Sequence, residues 1–220
     1  VSLGLGHQFH MLPAPNGPIG ANQPRFEYRH PWFNVSANAP EQLHLELHFG
    51  LDGISVALIV LTTILTFSAV LVSWESIRER ESEYYASLLV LETGLIGVFC
   101  AFDLIMFYVF FELTLIPLFF LIAIWGGAKR RYAAVKFFLY TLAGSLITLL
   151  GVAALMLHVS AAGLTTPCSL PDLAAWLRAH PLPVDAQRLL FIALSAGFLV
   201  KVPVFPFHTW LPLAHVEAPT

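Results

Sequence analysis

The sequence predicts an all-α protein, a polytopic transmembrane helix bundle, and three observations carry that prediction. Of its 220 residues, 57% are hydrophobic and only 11% are charged, where a soluble domain usually carries about 25% charged residues. Mean hydropathy is +0.74. The charges fall in short clusters between uncharged runs, and roughly 20 apolar residues in a helix suffice to cross a bilayer. A chain with so little charge cannot cover its own apolar surface, so lipid must.

Residues 1–50 read as an extramembrane loop because they are rich in Pro, Gly, Asn and His ("MLPAPNGPIGANQPRFEYRHPWFN"). The pairs His7/His10 and His44/His48 lie there without a cysteine or carboxylate cluster, so no zinc site is expected. Cys100 falls in an apolar run and Cys168 in a polar loop, which suggests neither a disulfide nor a metal site. The net charge of −3 is dispersed, and no run of Lys and Arg points to nucleic acid. The chain starts at Val1 without a basic leader and ends at Thr220 after an apolar stretch. Both ends are expected to be interior points of a longer protein.

Residues 51–220 form the membrane part. From Gly53 to Trp74 there is no charge, enough for one span at about 53–74. "ESIRERESE" follows as a charged loop. Residues 84–128 hold only Glu92, Asp103 and Glu112; as one helix they would reach about 67 Å, over twice the hydrocarbon core. The run must fold back, and Asp103 is the natural turning point and cap, which predicts helices at 84–102 and 104–125. After "GGAKRRYAAVK" a span is expected at about 132–158, and "PDLAAWLRAH" reads as a short amphipathic surface helix. The last span, 189–212, is interrupted: "LLFIALSAGFLVKVPVFPFHTWLP".

Basic residues orient the chain. Arg78 and Arg80 sit in one short loop, and Lys129, Arg130 and Arg131 in another, whereas the opposite, longer loops hold Arg25, Arg29, Arg178 and Arg188. The two short basic loops therefore face the cytoplasm or its equivalent, and the chain starts outside.

Depth counting places the intramembrane charges. Glu112 lies roughly 13 Å from the outer face, and Lys201 and Glu92 each lie roughly 18 Å from it. Standing alone, each such charge costs about 2.5–3.5 kcal/mol. Grouping opposite charges offsets part of this, either as a structural ion pair or as a proton or ion site, the default for ionisable groups in a membrane. Pro203 and Pro206 follow Lys201 closely, so the helix must break there. Freed carbonyls are tolerated at that depth only where they meet protein or a watery cavity, and discontinuous helices of this type form transporter ion sites. Pro117, five residues after Glu112, could open a smaller pocket. Lys136 could snorkel to the surface or serve as the inner proton entry. His208 could pass protons or be a structural histidine. His215 and Glu217 are expected at the interface.

"FYVFFELTLIPLFFLIAIWGG", "KFFLYTLAGSL" and "GFLVKVPVFPFHTWLPLAHVEAPT" resemble the chain M family of bacterial respiratory complex I, homologous to subunit 4 of mitochondrial NADH dehydrogenase. "LDGISVALIVLTTILT" and "GVFCAFDLIMFYVFFE" fit the same family, and the resemblance covers about residues 50–220. It implies an antiporter-like inverted-repeat fold, of which this chain holds most of the first half-channel and none of the second. The family's half-channel glutamate and lysine match Glu112 and Lys201, and its next lysine matches Lys136. Glu92 has no such counterpart and rests on depth alone. Leu213 departs from the charged residue of many relatives, which affects a surface turn.

The resemblance further implies proton translocation driven by electron transfer in other subunits of an NADH:quinone oxidoreductase. NAD, FMN, iron–sulfur clusters and quinone would bind those subunits, and no cofactor is expected in this chain. The implied partners are the other membrane subunits of complex I, the lipid bilayer and protons. The implied location is a bacterial plasma membrane, or alternatively the mitochondrial inner membrane. Rival readings are a subunit of a multisubunit sodium/proton antiporter or membrane-bound hydrogenase complex, and a structural membrane scaffold.

Overall fold

The computed structural model describes residues 25–35 and 43–219; the His7/His10 pair lies outside them. In chain order the elements are β1 (Arg25–Val35), β2 (Leu43–Leu51), α1 (Gly53–Ser76), α2 (Glu81–Cys100), α3 (Leu104–Leu113), α4 (Leu115–Trp125), α5 (Arg130–Ala161), α6 (Leu170–Ala179), α7 (Val184–Lys201), a 3₁₀ turn (Phe207–Trp210) and α8 (Leu211–Glu217). Four stretches are long and apolar enough to cross a membrane: Gly53–Ser76, Glu81–Cys100, Leu104–Trp125 and Arg130–Ala161. The fifth expected span is divided between α7, the 3₁₀ turn and α8, and α7 carries Asp185, Arg188 and Lys201 within 18 residues.

The chain forms two compact units. The first comprises the described parts of Val1–Leu65 with Leu95–Phe110 and Met156–Leu182. Here residues expected to be loop form an antiparallel hairpin, β1 with β2. The physical reason is the alternation in "LHLELHFGL", where Leu43, Leu45, Leu47, Phe49 and Leu51 occupy every second position. Register irregularities fall between Arg25 and Tyr28 and between Pro31 and Phe33. The second includes a proline, which cannot donate to the ladder, and Phe26 in the first has φ 54°.

Asp52 starts α1 by accepting the Ser55 N–H at 2.6 Å. Leu51, Val56 and Ile59 pack with Ile96, Phe99 and Cys100. The turn at 101–103 is stitched on both sides: Phe102 N–H donates to the His48 carbonyl, Leu104 N–H to that of Cys168, and Leu170 N–H to that of Phe102, each at 2.9 Å. Asp103, buried, accepts N–H bonds from Ile105 (2.8 Å) and Met106 (2.9 Å), which makes it the cap of α3.

The second unit comprises Thr66–Gly94, Phe111–Leu155 and Pro183–Thr220. Its core holds Leu115, Ile122, Ala133, Ala134, Phe137, Trp210 and Ala214. A second cluster, Ile77, Tyr84, Leu88 and Leu121, is closed by Trp125, whose indole donates to the Glu79 carbonyl at 2.8 Å. Glu217, expected only at the interface, also holds the α4–α5 loop. Its carbonyl accepts from Gly127 N–H at 2.9 Å and its carboxylate from Lys129 N–H at 2.7 Å. A side chain at Gly126 would collide with the Ile122 and Glu217 carbonyls, which explains "GG" at this turn.

Helices α5 and α7 meet through small residues. A Cβ at Gly144 would lie 2.8 Å from Val200 Cγ2, and one at Gly151 2.9 Å from Ala193 Cβ. Between them the Thr148 hydroxyl accepts the Gly197 N–H at 2.8 Å. It shares its own proton among the Ala193, Leu194 and Gly144 carbonyls at 3.3–3.4 Å.

Candidate functional site

Two prolines create the site, each by withholding an N–H from the carbonyl four residues earlier. Pro117, buried in α4, leaves Leu113 without its helix donor, and the ladder lapses at Thr114 between α3 and α4. Pro203 does the same to Leu199 and ends α7 at Lys201. Beyond Pro203 the backbone is re-satisfied. Val204 N–H reaches back to the Leu199 carbonyl at 3.0 Å, and the Trp210 indole donates to the Val200 carbonyl at 2.9 Å. The break is therefore closed with protein groups, as irregular backbone in a membrane requires.

Lys201 lies where the two interruptions meet. Its Nζ donates to the Phe111 carbonyl at 2.8 Å and to Thr114 Oγ1 at 3.2 Å. The Phe111 ring lies beneath the same nitrogen, 3.3 Å from Nζ to the ring centroid, a cation–π contact. Glu112, half-buried, follows Phe111 directly on α3. The described ion pairs include neither Lys201 nor Glu112. The lysine thus rests on a carbonyl, a hydroxyl and an aromatic face, with the carboxylate as a neighbouring charge. This arrangement can hold a cation away from bulk water while leaving a carboxylate close enough to influence its protonation.

The other candidates are placed as follows. Lys136, six residues into α5, is half-buried, with Nζ 5.8 Å from the Tyr140 ring centroid. Glu92 is half-buried on α2. Among the described hydrogen bonds and ion pairs, none joins Lys136 or Glu92 to Lys201. His208 is exposed in the 3₁₀ turn, its ring 5.6 Å from that of Phe205. The residue that sequence reasoning passed over is Thr114. The signal was a hydroxyl in an apolar run just ahead of a proline.

Outside the spans, a polar cluster surrounds His48, which is 1% exposed. Its Nε2 lies 2.8 Å from a Glu27 carboxylate oxygen, off the line of a good hydrogen bond. Its Nδ1 is 3.5 Å from Ser169 Oγ, and its ring packs on Phe102. Burial, and then the Arg29 charge, hold its pKa below the usual 6.5. Burial pushes the Cys168 thiol up to about 12, so it behaves as an inert apolar group.

These features define a polytopic membrane protein whose broken helix places a lysine against backbone and a nearby carboxylate inside the bundle. The chain belongs to the NADH:quinone oxidoreductase/Mrp antiporter transmembrane family, which its residues 101–220 match. It is 45% identical over 185 residues to NADH-quinone oxidoreductase subunit M of Rhodobacter capsulatus, covering 81% of this chain and 35% of that protein. It is 44% identical over 178 residues to NADH-ubiquinone oxidoreductase chain 4 of Marchantia polymorpha, covering 80% of this chain and 34% of that one. Among solved structures it is similar to a chain of respiratory complex I from Thermus thermophilus with bound NADH. There the TM-score is 0.71 and the identity 32%, over 91% of this chain and 39% of that one. The chain spans about a third of the length of the relatives it matches.

Proposed function

We propose that this chain is part of a membrane subunit of a proton-pumping NADH:quinone oxidoreductase, in which Glu112 and Lys201 form the core of a proton half-channel. The observation that carries this reading is the seat of Lys201 at the end of α7, on the Phe111 carbonyl, which Glu112 directly follows. Electron transfer belongs to other subunits, which hold NAD, FMN, iron–sulfur clusters and quinone. Its energy shifts the Glu112–Lys201 pair, the lysine gives up or gains a proton, and that proton advances by Lys136. Glu92 and His208 are assigned auxiliary proton-handling roles, resting on depth and on imidazole chemistry respectively. Moving one charge across the membrane costs about 2.3 kcal/mol per 100 mV. A change of about two pKa units, near 2.7 kcal/mol, is of the size needed.

The test is Lys201→Met or Glu112→Gln in the assembled complex reconstituted in vesicles. Proton-to-electron stoichiometry is expected to fall by the share this subunit carries. Unchanged stoichiometry in both variants would sink the assignment, and intact assembly together with intact pumping would favour a structural scaffold. A second reading, a subunit of a sodium/proton antiporter, is favoured by the family description, which names Mrp antiporters beside the oxidoreductases. Sodium-dependent transport without any bound electron-transfer arm would select it. We place the chain in a bacterial plasma membrane with other membrane subunits of the complex as its neighbours.

A further inference from the structure

Resting on the reading of Lys201 as the residue that gives and takes the proton, we propose that Thr114 is a positioning residue that seats the Lys201 side chain in both protonation states. A lysine ammonium has three donors and no acceptor. Here Nζ donates to the Phe111 carbonyl at 2.8 Å and to Thr114 Oγ1 at 3.2 Å, with the Phe111 ring 3.3 Å away. The Thr114 hydroxyl meanwhile gives its own proton to the same Phe111 carbonyl, at 2.8 Å.

A lysine that has lost a proton presents a different demand. It keeps two N–H groups and gains a lone pair that needs a donor. The Phe111 carbonyl and an ionised Glu112 can only accept, and the aromatic face favours a cation. The Thr114 hydroxyl alone among these groups can donate or accept. Rotation about its Cβ–Oγ bond takes the hydroxyl proton off the Phe111 carbonyl and turns it to the lone pair of Nζ. One remaining N–H keeps the carbonyl satisfied. The bond that breaks is the third N–H of the ammonium, whose proton passes to water on the route by Lys136 while Glu112 stays ionised; the amine then turns about its Cε–Nζ bond so that its lone pair faces Thr114. The threonine O–H bond stays intact and only changes its acceptor. The lysine therefore changes charge without leaving its seat.

Threonines in this chain commonly bond back to a carbonyl of their own helix. Thr62, Thr93 and Thr141 do so at 2.8 Å, which by itself is a helix habit. Thr114 differs because its second partner is a cation from a different helix.

The experiment measures the pH profile of proton-coupled turnover in the assembled complex carrying Thr114→Val, Thr114→Ala or Thr114→Ser. Serine keeps the hydroxyl and is expected to reproduce the parent profile. Valine and alanine are expected to move the alkaline limb together, to lower pH, by about 0.5–1 unit, a roughly three- to tenfold change in proton affinity. The direction follows because the lost bond to the charged nitrogen is about twice as strong as its neutral counterpart. Valine and alanine profiles that coincide with the parent overturn the inference, as does a serine profile displaced as far as the other two. If the valine variant does not assemble, the alanine–serine comparison decides in the same way. Lys201→Met in the same vesicles separates the two levels: full pumping there overturns the proton role of Lys201 itself. Lost pumping there with unmoved threonine variants overturns only the role of Thr114.

Discussion

Burial pushes the Asp103 carboxyl up to about 6 from its ordinary 3.8, while the Met106 and Ile105 N–H groups pull it the other way. The folded state therefore binds this proton more tightly than the unfolded chain. Stability from the group is complete below about pH 3.8 and is lost as pH rises through about 6. Asp103→Asn keeps a capping oxygen and cannot ionise. It is expected to stabilise the turn above pH 6 by about 1–2 kcal/mol, the two-unit shift being offset in part by a weaker cap. Slower hydrogen exchange at Ile105 and Met106, relative to the parent at pH 7–8 and converging below pH 5, would show it. His48 has the opposite sign. Its lowered value means that stability is present above the ordinary 6.5 and is lost as pH falls through the folded-state value. Exchange along β2 is accordingly expected to quicken on acidification below the ordinary 6.5. Asp103 could be read from its place between two apolar runs, since a cap acts on residues next to it. His48 could not, because Phe102 and Ser169 reach it from distant parts of the chain.

At the scale of elements, helix positions were legible and helix interruptions only half so. Pro203 and Pro206 announced the break after Lys201, because a missing N–H is a covalent fact. The hairpin was missed although its alternation is written in "LHLELHFGL", because Pro, Gly and Asn nearby dominated the composition. The α5–α7 contact was not foreseen either, since small residues signal a close approach only once the partner helix is known. It carries its own prediction. A Cβ at Gly197 would lie 2.7 Å from Thr148 Oγ1, so Gly197→Ala is expected to cost about 1–3 kcal/mol by overpacking. Thr148→Val leaves the buried Gly197 N–H without its acceptor and is expected to cost a similar amount, about 1–3 kcal/mol. Thr148→Ser should cost less than either. Thermal inactivation of the assembled complex orders the three.

At the scale of the whole molecule, the chain is one part of a longer family pattern, covering about a third of its relatives' length. The proposed role then predicts its company: a tagged full-length protein is expected to copurify from mild detergent with flavin and iron–sulfur absorbance. Purification as an antiporter assembly lacking both chromophores would select the second reading. The sequence by itself determined that the chain lives in a membrane, where its long helices run, and that the last of them breaks at Lys201. Those features follow from local quantities, namely the cost of charge in lipid, the length of apolar runs and the missing N–H of proline. Only the tertiary structure decided what Lys201 touches. Depth counting grouped it with Glu112 and Glu92 and the family resemblance matched it with Glu112, but the rotation of two broken helices about their axes delivers Nζ to a carbonyl 90 residues away in sequence, and to the hydroxyl of Thr114 beside it.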